Sequence, residues 1–268
     1  MIVIKGAGDI ASGIAVRLYR SGYKIAMTDL PEPTSIRTTV SFSEAIRLGS
    51  NTVEQIGAVR CETRNVLASA FDKGVIPVIP INSVILADVL SSAGAIVDAR
   101  LAKINIDTQI DEAKTVIGIG PGFTAGLDCH AVIETQRGHY LGRVLYSGTA
   151  AENTGIPGII GGYGEERVLR APCEGFFCSV RKIGDTVKEG ETVATVNGKP
   201  VIARIPGLIR GLLPDGIYVS EGMKSGDVDP RSKSDFCQFV SDKALAVGGG
   251  VLEALLHFGV FPDQKTCN

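Results

Sequence analysis

The chain has 268 residues, 44% of them hydrophobic and 21% charged, with a formal net charge of −2 and a mean hydropathy of +0.21. That length suits one large domain or two modest ones with a real apolar core. Near-neutral charge supplies no field for nucleic acid or anionic lipid, and no apolar run is long enough to span a bilayer, so neither nucleic acid nor membrane is an expected partner. The six cysteines (61, 129, 173, 178, 237 and 267) form no Cys-x-x-Cys pair. They read as free thiols of a reducing compartment, and the N-terminus reads as a strand rather than a signal peptide, which predicts a cytoplasmic protein.

Residues 1–5 form a short β-type run that flows into Gly6-Ala7-Gly8-Asp9-Ile10-Ala11-Ser12-Gly13. Ile10, Ile14, Ala15 and Leu18 then recur at helical spacing up to Ser21-Gly22, and a second β-type run over 24–28 stops at Asp29. Strand, glycine turn, helix and a second strand with an acidic tip is the order a dinucleotide site requires. Gly6 permits the tight turn, and Gly8 keeps the backbone open to a pyrophosphate. The helix start near Ile10 offers unpaired N–H groups and a positive dipole end, with Ser12 in its first turn. Ala11 takes the third glycine position, which governs helix–strand packing, and Asp29 stands 21 residues beyond Gly8, where a carboxylate meets ribose hydroxyls. Asp9 is repulsive beside a phosphate unless it caps the helix, and capping is the preferred reading.

The alternation continues with helical patterns at 41–48, 62–71 and 84–91 and strands at 74–79, 95–98 and 115–120, which predicts a mostly parallel sheet covered by helices. Ligands of such sheets bind beyond the carboxyl ends of the strands. Two further strand ends therefore qualify: the polar segment 98–105, and a second glycine loop over 118–126 in which Gly120, Gly122 and Thr124 could present main-chain N–H groups to an anion. Simple turns are the alternative. Next comes a polar stretch, 128–139, holding Cys129, His130, Glu134 and His139. On one extended strand Asp128, His130 and Glu134 would share a face and could do acid–base work. The spacing matches no zinc pattern, so no metal is expected, and a polar strand with ordinary salt bridges is the competing reading. Six glycines within 147–167 mark a linker.

From Ala171 onward the sequence repeats at an offset of 32: Gly175 matches Gly207, Gly184 Gly216, Val187 Val219, Gly190 Gly222 and Val196 Val228. Asn197-Gly198, a hairpin signal, joins the halves. The Ala-Pro-x-x-Gly and Gly-Asp-x-Val-x-x-Gly-x-x-Val pattern resembles the barrel-sandwich hybrid fold of biotinyl and lipoyl carrier domains. Lys199 lies near the joining hairpin without the neighbours of a carrier lysine, so no covalent biotin or lipoate is expected. A last helical pattern over 241–257 contains Gly248-Gly249-Gly250, which costs about 1 kcal/mol per glycine unless another backbone packs there. The expected organisation is a Rossmann-like domain over 1–150, a barrel-sandwich hybrid module over 168–230, and a helical segment over 231–268 that packs back on the first domain.

Taken together, Gly6-Ala7-Gly8-Asp9-Ile10-Ala11-Ser12-Gly13, Gly120-Pro121-Gly122-Phe123-Thr124-Ala125-Gly126, Ile133-Glu134-Thr135-Gln136-Arg137-Gly138-His139 and Ser241-Asp242-Lys243 resemble the YqeB family, accessory proteins of selenium-dependent molybdenum hydroxylase systems. The resemblance implies a maturation factor with a client molybdenum hydroxylase as partner and a first domain distantly analogous to that of XdhC-type factors. It brings no catalytic residue with it. Two functions are carried forward. One is a factor that binds a nucleotide or molybdopterin cytosine dinucleotide; the other is an NAD(P)-dependent oxidoreductase using His130 or Glu134. Cys129 is a weaker candidate as a sulfur or selenium carrier. A homo-oligomer is compatible with either.

Overall fold

The computed structural model describes residues 1–262; Cys267 lies outside them. The protein is a mixed α/β chain with a large, mostly parallel central sheet and additional antiparallel sheets. It divides into two compact units. The first comprises Met1–Pro33, Ser41–Asn153 and the residues from Val240 onward; the second comprises Thr34–Val40 and Thr154–Phe239. Three segments outside the 168–230 boundaries drawn from sequence, 34–40, 154–167 and 231–239, belong to the second unit.

The first unit starts with β1 (Ile2–Lys5), α1 (Asp9–Arg20) and β2 (Ile25–Asp29). It continues with α2 (Glu44–Leu48), β3 (Ser50–Val53), β4 (Ile56–Arg60), α3 (Arg64–Asp72), β5 (Ile76–Pro80), α4 (Leu86–Ser91) and β6 (Ala95–Asp98). Then follow β7 (Val116–Ile119), β8 (Thr124–Ala125), β9 (Ala131–Ile133), β10 (Val144–Leu145) and β11 (Gly148–Thr149). Nine of these strands form one sheet in the order β10-β9-β7-β6-β1-β2-β5-β4-β3. All neighbours run parallel except the two edge pairs, β3 with β4 and β9 with β10. The inner strands IVIK, IAMTD, IPVIP, AIVD and VIGI are nearly continuous apolar runs because both faces of a parallel sheet are covered.

The closing helix α6 (Asp242–His257) belongs to this unit and runs unbroken through its three glycines. A Cβ at Gly248 would stand 3.2 Å from the Gly13 carbonyl oxygen and 3.1 Å from Arg17 Cβ, and one at Gly250 would collide with the Gly142 carbonyl. The missing side chains let α6 lie against α1 and the loop before β10, and the Arg17 guanidinium donates to the Leu245 carbonyl at 3.0 Å. Its N-cap is Ser241, whose side chain accepts the Ala244 N–H.

The second unit contains β12 (Val168–Arg170), β13 (Gly175–Ser179), β14 (Thr186–Val187), β15 (Thr192–Val196), β16 (Lys199–Ile202), β17 (Gly207–Leu212), β18 (Tyr218–Val219), β19 (Lys224–Asp229) and the short α5 (Asp235–Gln238). Its two four-stranded antiparallel sheets have the orders β12-β19-β17-β14 and β16-β15-β13-β18. Replacing each strand of the first sheet by its duplicate in the other half (β12 by β16, β19 by β15, β17 by β13, β14 by β18) gives the second sheet in the same order, so each half lends strands to both. Phe177, Val187, Val196, Ile209, Val219 and Val228 form the shared core between them.

The two outer faces differ. On β17 Leu208 is 5% exposed and Leu212 4%, whereas their duplicates on β13 and just beyond it, Phe176 and Val180, are both 59% exposed. The covered face is closed by residues 34–40, where Ile36 accepts the Leu212 N–H at 2.7 Å, and by α5, whose Phe236 carbonyl accepts from Arg37. Among the described residues no helix is long and apolar enough to cross a membrane.

Candidate functional site

Between β1 and β6 the sheet order reverses direction, so their carboxyl ends border the crevice where ligands of open α/β sheets bind. Gly6 leaves β1 with φ +103°, and a Cβ there would stand 2.9 Å from the Ala99 carbonyl oxygen on the segment leaving β6. Glycine is required at this position by the close approach of the chain itself. Gly8 is the N-cap of α1, with no side-chain cap, and Asp9 is the first helical residue. Asp9 is therefore not the cap that the sequence suggested, and the helix starts one residue earlier than expected. Ala11 is buried in the helix packing. Ser12 is fully buried; its hydroxyl donates to the Ala7 carbonyl at 3.0 Å and accepts the Phe42 N–H at 2.8 Å. Ala11 and Ser12 hold the turn in place and do not line the crevice.

The Ala7 carbonyl also accepts the Ser43 N–H at 2.9 Å. Ser43 is completely buried against the turn, and its hydroxyl has no hydrogen-bond partner among the described residues. Nothing in the local sequence signals this residue, because it reaches the turn from the far side of the 30–40 excursion.

Asp29 at the carboxyl end of β2 accepts the Ala7 N–H at Oδ2 and the Leu30 N–H at Oδ1, both at 2.8 Å. Burial pushes its carboxyl above the usual range, and the two N–H bonds pull the other way without cancelling it. The acidic tip is thus tied to the glycine turn by a direct bond. Leu30 (45% exposed) and Ile81 (46% exposed) flank it, and the Ile81 N–H bonds the Asp29 carbonyl.

The crevice between β1 and β6 holds a charge cluster. Lys5 is buried and bonds Glu112 at 2.6 Å and the Thr108 hydroxyl at 2.9 Å. Thr108 donates to buried Asp98 at 2.7 Å, and Arg100 bridges Asp98 and Asp107, each at 2.6 Å. Arg100 holds the Asp107 carboxyl below its usual range. The segment after β6 is pinned across the crevice by these bonds, with Leu101 and Lys103 at positive φ, +56° and +68°. Of the polar strand end 98–105, Asp98 and Arg100 enter the cluster.

The second glycine loop also meets this segment: a Cβ at Gly122 would lie 2.6 Å from Ile104 Cα. A side chain on Gly120 would meet the Thr135 hydroxyl at 2.7 Å. The Thr124 N–H is taken by the Asp128 carboxylate at 2.7 Å. Gly120 and Gly122 thus lie near the carboxyl edge, but chain packing accounts for both glycines and the Thr124 donor is spoken for.

Cys129, His130 and Glu134 do not form one site. β9 begins only at Ala131, so Cys129 and His130 stand at its amino end, opposite the crevice. The His130 Nδ1 accepts the Val116 N–H at 3.0 Å, and its ring packs edge-on against Phe258. Cys129 is fully buried with its thiol pushed up to about 11 by burial, which makes it a poor nucleophile at neutral pH. Glu134 follows β9 at the carboxyl end, but its two oxygens accept the Gln136 N–H at 2.6 Å and the Ala151 N–H at 2.8 Å. Asp128 lies in the turn before the strand and shares no face with them. Among the described residues no group of three or more His, Cys, Asp or Glu side chains is placed to hold a metal ion.

No family model matches the chain. A search of solved structures finds an aspartoacylase family protein from Mesorhizobium loti at 11% identity and TM-score 0.23, covering 76% of this chain and 56% of that one, a likeness too low to carry an argument. A curated relative, the uncharacterized protein YqeB of Escherichia coli K12, is 49% identical over 263 residues, which is 97% of this chain and 48% of YqeB. The chain spans about half the length of that relative. The identity runs along nearly all of the chain, which is therefore similar to about half of YqeB.

Proposed function

We propose that the first unit binds a nucleotide at the carboxyl edge of its sheet and that the protein acts in the maturation of a selenium-dependent molybdenum hydroxylase, with that hydroxylase as client. The observation that carries the binding reading is the direct bond between Asp29 and Ala7. It fixes a carboxylate suited to ribose hydroxyls at a constant distance from the start of α1, where first-turn N–H groups and the helix dipole favour phosphate. The buried Ser43 hydroxyl beside the turn is a further polar group in want of a partner. The maturation role rests on the family likeness. Molybdopterin cytosine dinucleotide and NAD(P) are the leading ligands.

The oxidoreductase alternative loses support, because His130 stands at the wrong end of the sheet and the Glu134 oxygens are engaged by main-chain donors. We also infer a Rossmann-like type for the first unit and a barrel-sandwich hybrid for the second. The exchange of strands between its two halves supports the latter. Calorimetric titration with NAD, NADP, ATP, CTP and molybdopterin cytosine dinucleotide tests the binding reading: one of them binds and Gly8→Val abolishes it. Silence from all five refutes it.

A further inference from the structure

We infer that the open face of the sheet β16-β15-β13-β18 is a contact surface for a second copy of this chain, packed face to face about a two-fold axis near Cys178. The face is continuous across the sheet. Pro200, Thr195 and Cys178 lie side by side in registered pairs, and Ile202 pairs with Thr192 in a neighbouring row. On the other side of β13 the rings of Phe176 and Tyr218 meet edge-on at 5.4 Å. Tyr218 is 55% exposed and Ile202 44%, and Phe176 and Cys178 are exposed as well.

The internal duplication shows how such a face is built where the chain covers it itself. Four outward charged residues of the first sheet, Arg170, Arg210, Lys224 and Asp227, have Ile202, Cys178, Thr192 and Thr195 as their duplicates at the offset of 32. Leu208 and Thr186 are enlarged to Phe176 and Tyr218. On the first sheet the charges are engaged within the unit: Arg167 bonds Asp227, Arg210 lies 3.7 Å from it, and Arg170 bonds Glu165 at 2.7 Å. The open sheet has lost those four charges and gained two aromatic rings, although the uncovered face of an antiparallel sheet is ordinarily polar. Aromatic residues without charge are the composition of the centre of a protein interface, and homodimer interfaces are the more apolar ones. A surface that meets its own copy must also avoid setting like charges opposite each other, and none stands at these positions. Phe and Tyr side chains bury about 150–250 Å² each, so the exposed parts of Phe176 and Tyr218, with Ile202, supply an apolar centre of roughly 300 Å² per copy. A stable interface of standard size buries about 800 Å² per partner, so this dimer is reversible and forms in the micromolar range.

Sedimentation velocity of the full chain, from low micromolar to several hundred micromolar, tests this. The expected result is a shift from monomer to dimer as concentration rises. Iodoacetamide labelling of Cys178 is fast in dilute protein and slows as the dimer accumulates. Cys178→Asp and Cys178→Lys each place like charges opposite one another at the two-fold. Alone, each weakens association at least about tenfold; mixed in equal amounts, the two variants associate again. Recovery on mixing is the mark of a two-fold contact, and a folding defect in either variant would not produce it. A chain that stays monomeric throughout overturns the inference and leaves the face to a different protein. A dimer that Cys178→Asp leaves intact, or variants that do not recover one another on mixing, overturns it equally.

Discussion

Single residues in this chain are best told apart by what surrounds them. Cys129 and Cys178 are both free thiols, but Cys129 is buried with its thiol pushed up to about 11, while Cys178 is exposed on the open face of the second unit. Under native conditions at neutral pH, iodoacetamide therefore modifies Cys178 and leaves Cys129 untouched until the protein unfolds; peptide mass mapping reads this directly. Rapid native labelling of Cys129 would contradict the buried placement and revive a carrier role. Gly6 gives a second contrast. Its φ of +103° and the Ala99 carbonyl at 2.9 Å from the Cβ position make Gly6→Ala costly, by about 1–3 kcal/mol in urea unfolding. Sequence context read the glycine turn and Asp29 correctly as neighbours, because a strand–turn–helix–strand run fixes them locally. It misplaced Asp128 and His130, set with Glu134 on one strand face, because a period-two pattern does not say where a strand begins, and β9 starts only after both.

Elements show the same division between local and distant causes. Apolar runs announced the inner strands, since burial on both faces leaves an uninterrupted signal. The hairpin of β3 and β4 stayed hidden. The sequence of β3 is Ser-Asn-Thr-Val, and its turn uses Glu54 and Gln55 at positive φ, where glycine or asparagine would have given it away. In α6 the three glycines separate by environment. Gly248 and Gly250 sit under neighbouring backbone, whereas nothing lies within 4 Å of a Cβ at Gly249. Gly249→Ala accordingly raises stability by roughly 0.5–1 kcal/mol through helix propensity, and Gly250→Ala lowers it by more than that, since the Gly142 carbonyl must move. Denaturation midpoints of the two variants diverge in sign; a common sign would mean that α6 does not pack as described. In the second unit, Leu208→Ala costs about 2–4 kcal/mol, as for a filled core site, while the duplicate Phe176→Ala costs about 1 kcal/mol or less.

At the scale of the whole molecule, the chain's order and its compact units do not coincide, and this sets how it responds to acid. Thr34–Val40 belongs with residues 154–239, so the second unit is assembled from two distant pieces of sequence that no local pattern connects. Its covered face is polar as well as apolar: Arg167 bonds Asp227, Arg231 bonds Asp229 at 2.6 Å, and Arg210 lies 3.7 Å from Asp227 and 3.9 Å from Asp229. Asp229 is 1% exposed, and burial alone would raise its carboxyl, but the Arg231 hydrogen bonds and charge, with Arg210 behind them, hold it below the ordinary value. A depressed folded-state value means that ionised Asp229 stabilises the fold at every pH above its unfolded value of about 3.9, and that this contribution fades as pH falls through the lower folded value. The second unit therefore loses stability below about pH 4, and Asp229→Asn removes that part of the acid dependence while lowering stability at neutral pH by leaving the arginines with one carboxylate fewer. Hydrogen exchange followed separately in 154–239 and in the nine-stranded sheet, between pH 6 and pH 3, checks this. The expected result is that protection in β17 and β19 falls in the wild type over the acidic limb and depends less on pH in Asp229→Asn. An unchanged acid limb in the variant would place the responsible carboxylate elsewhere.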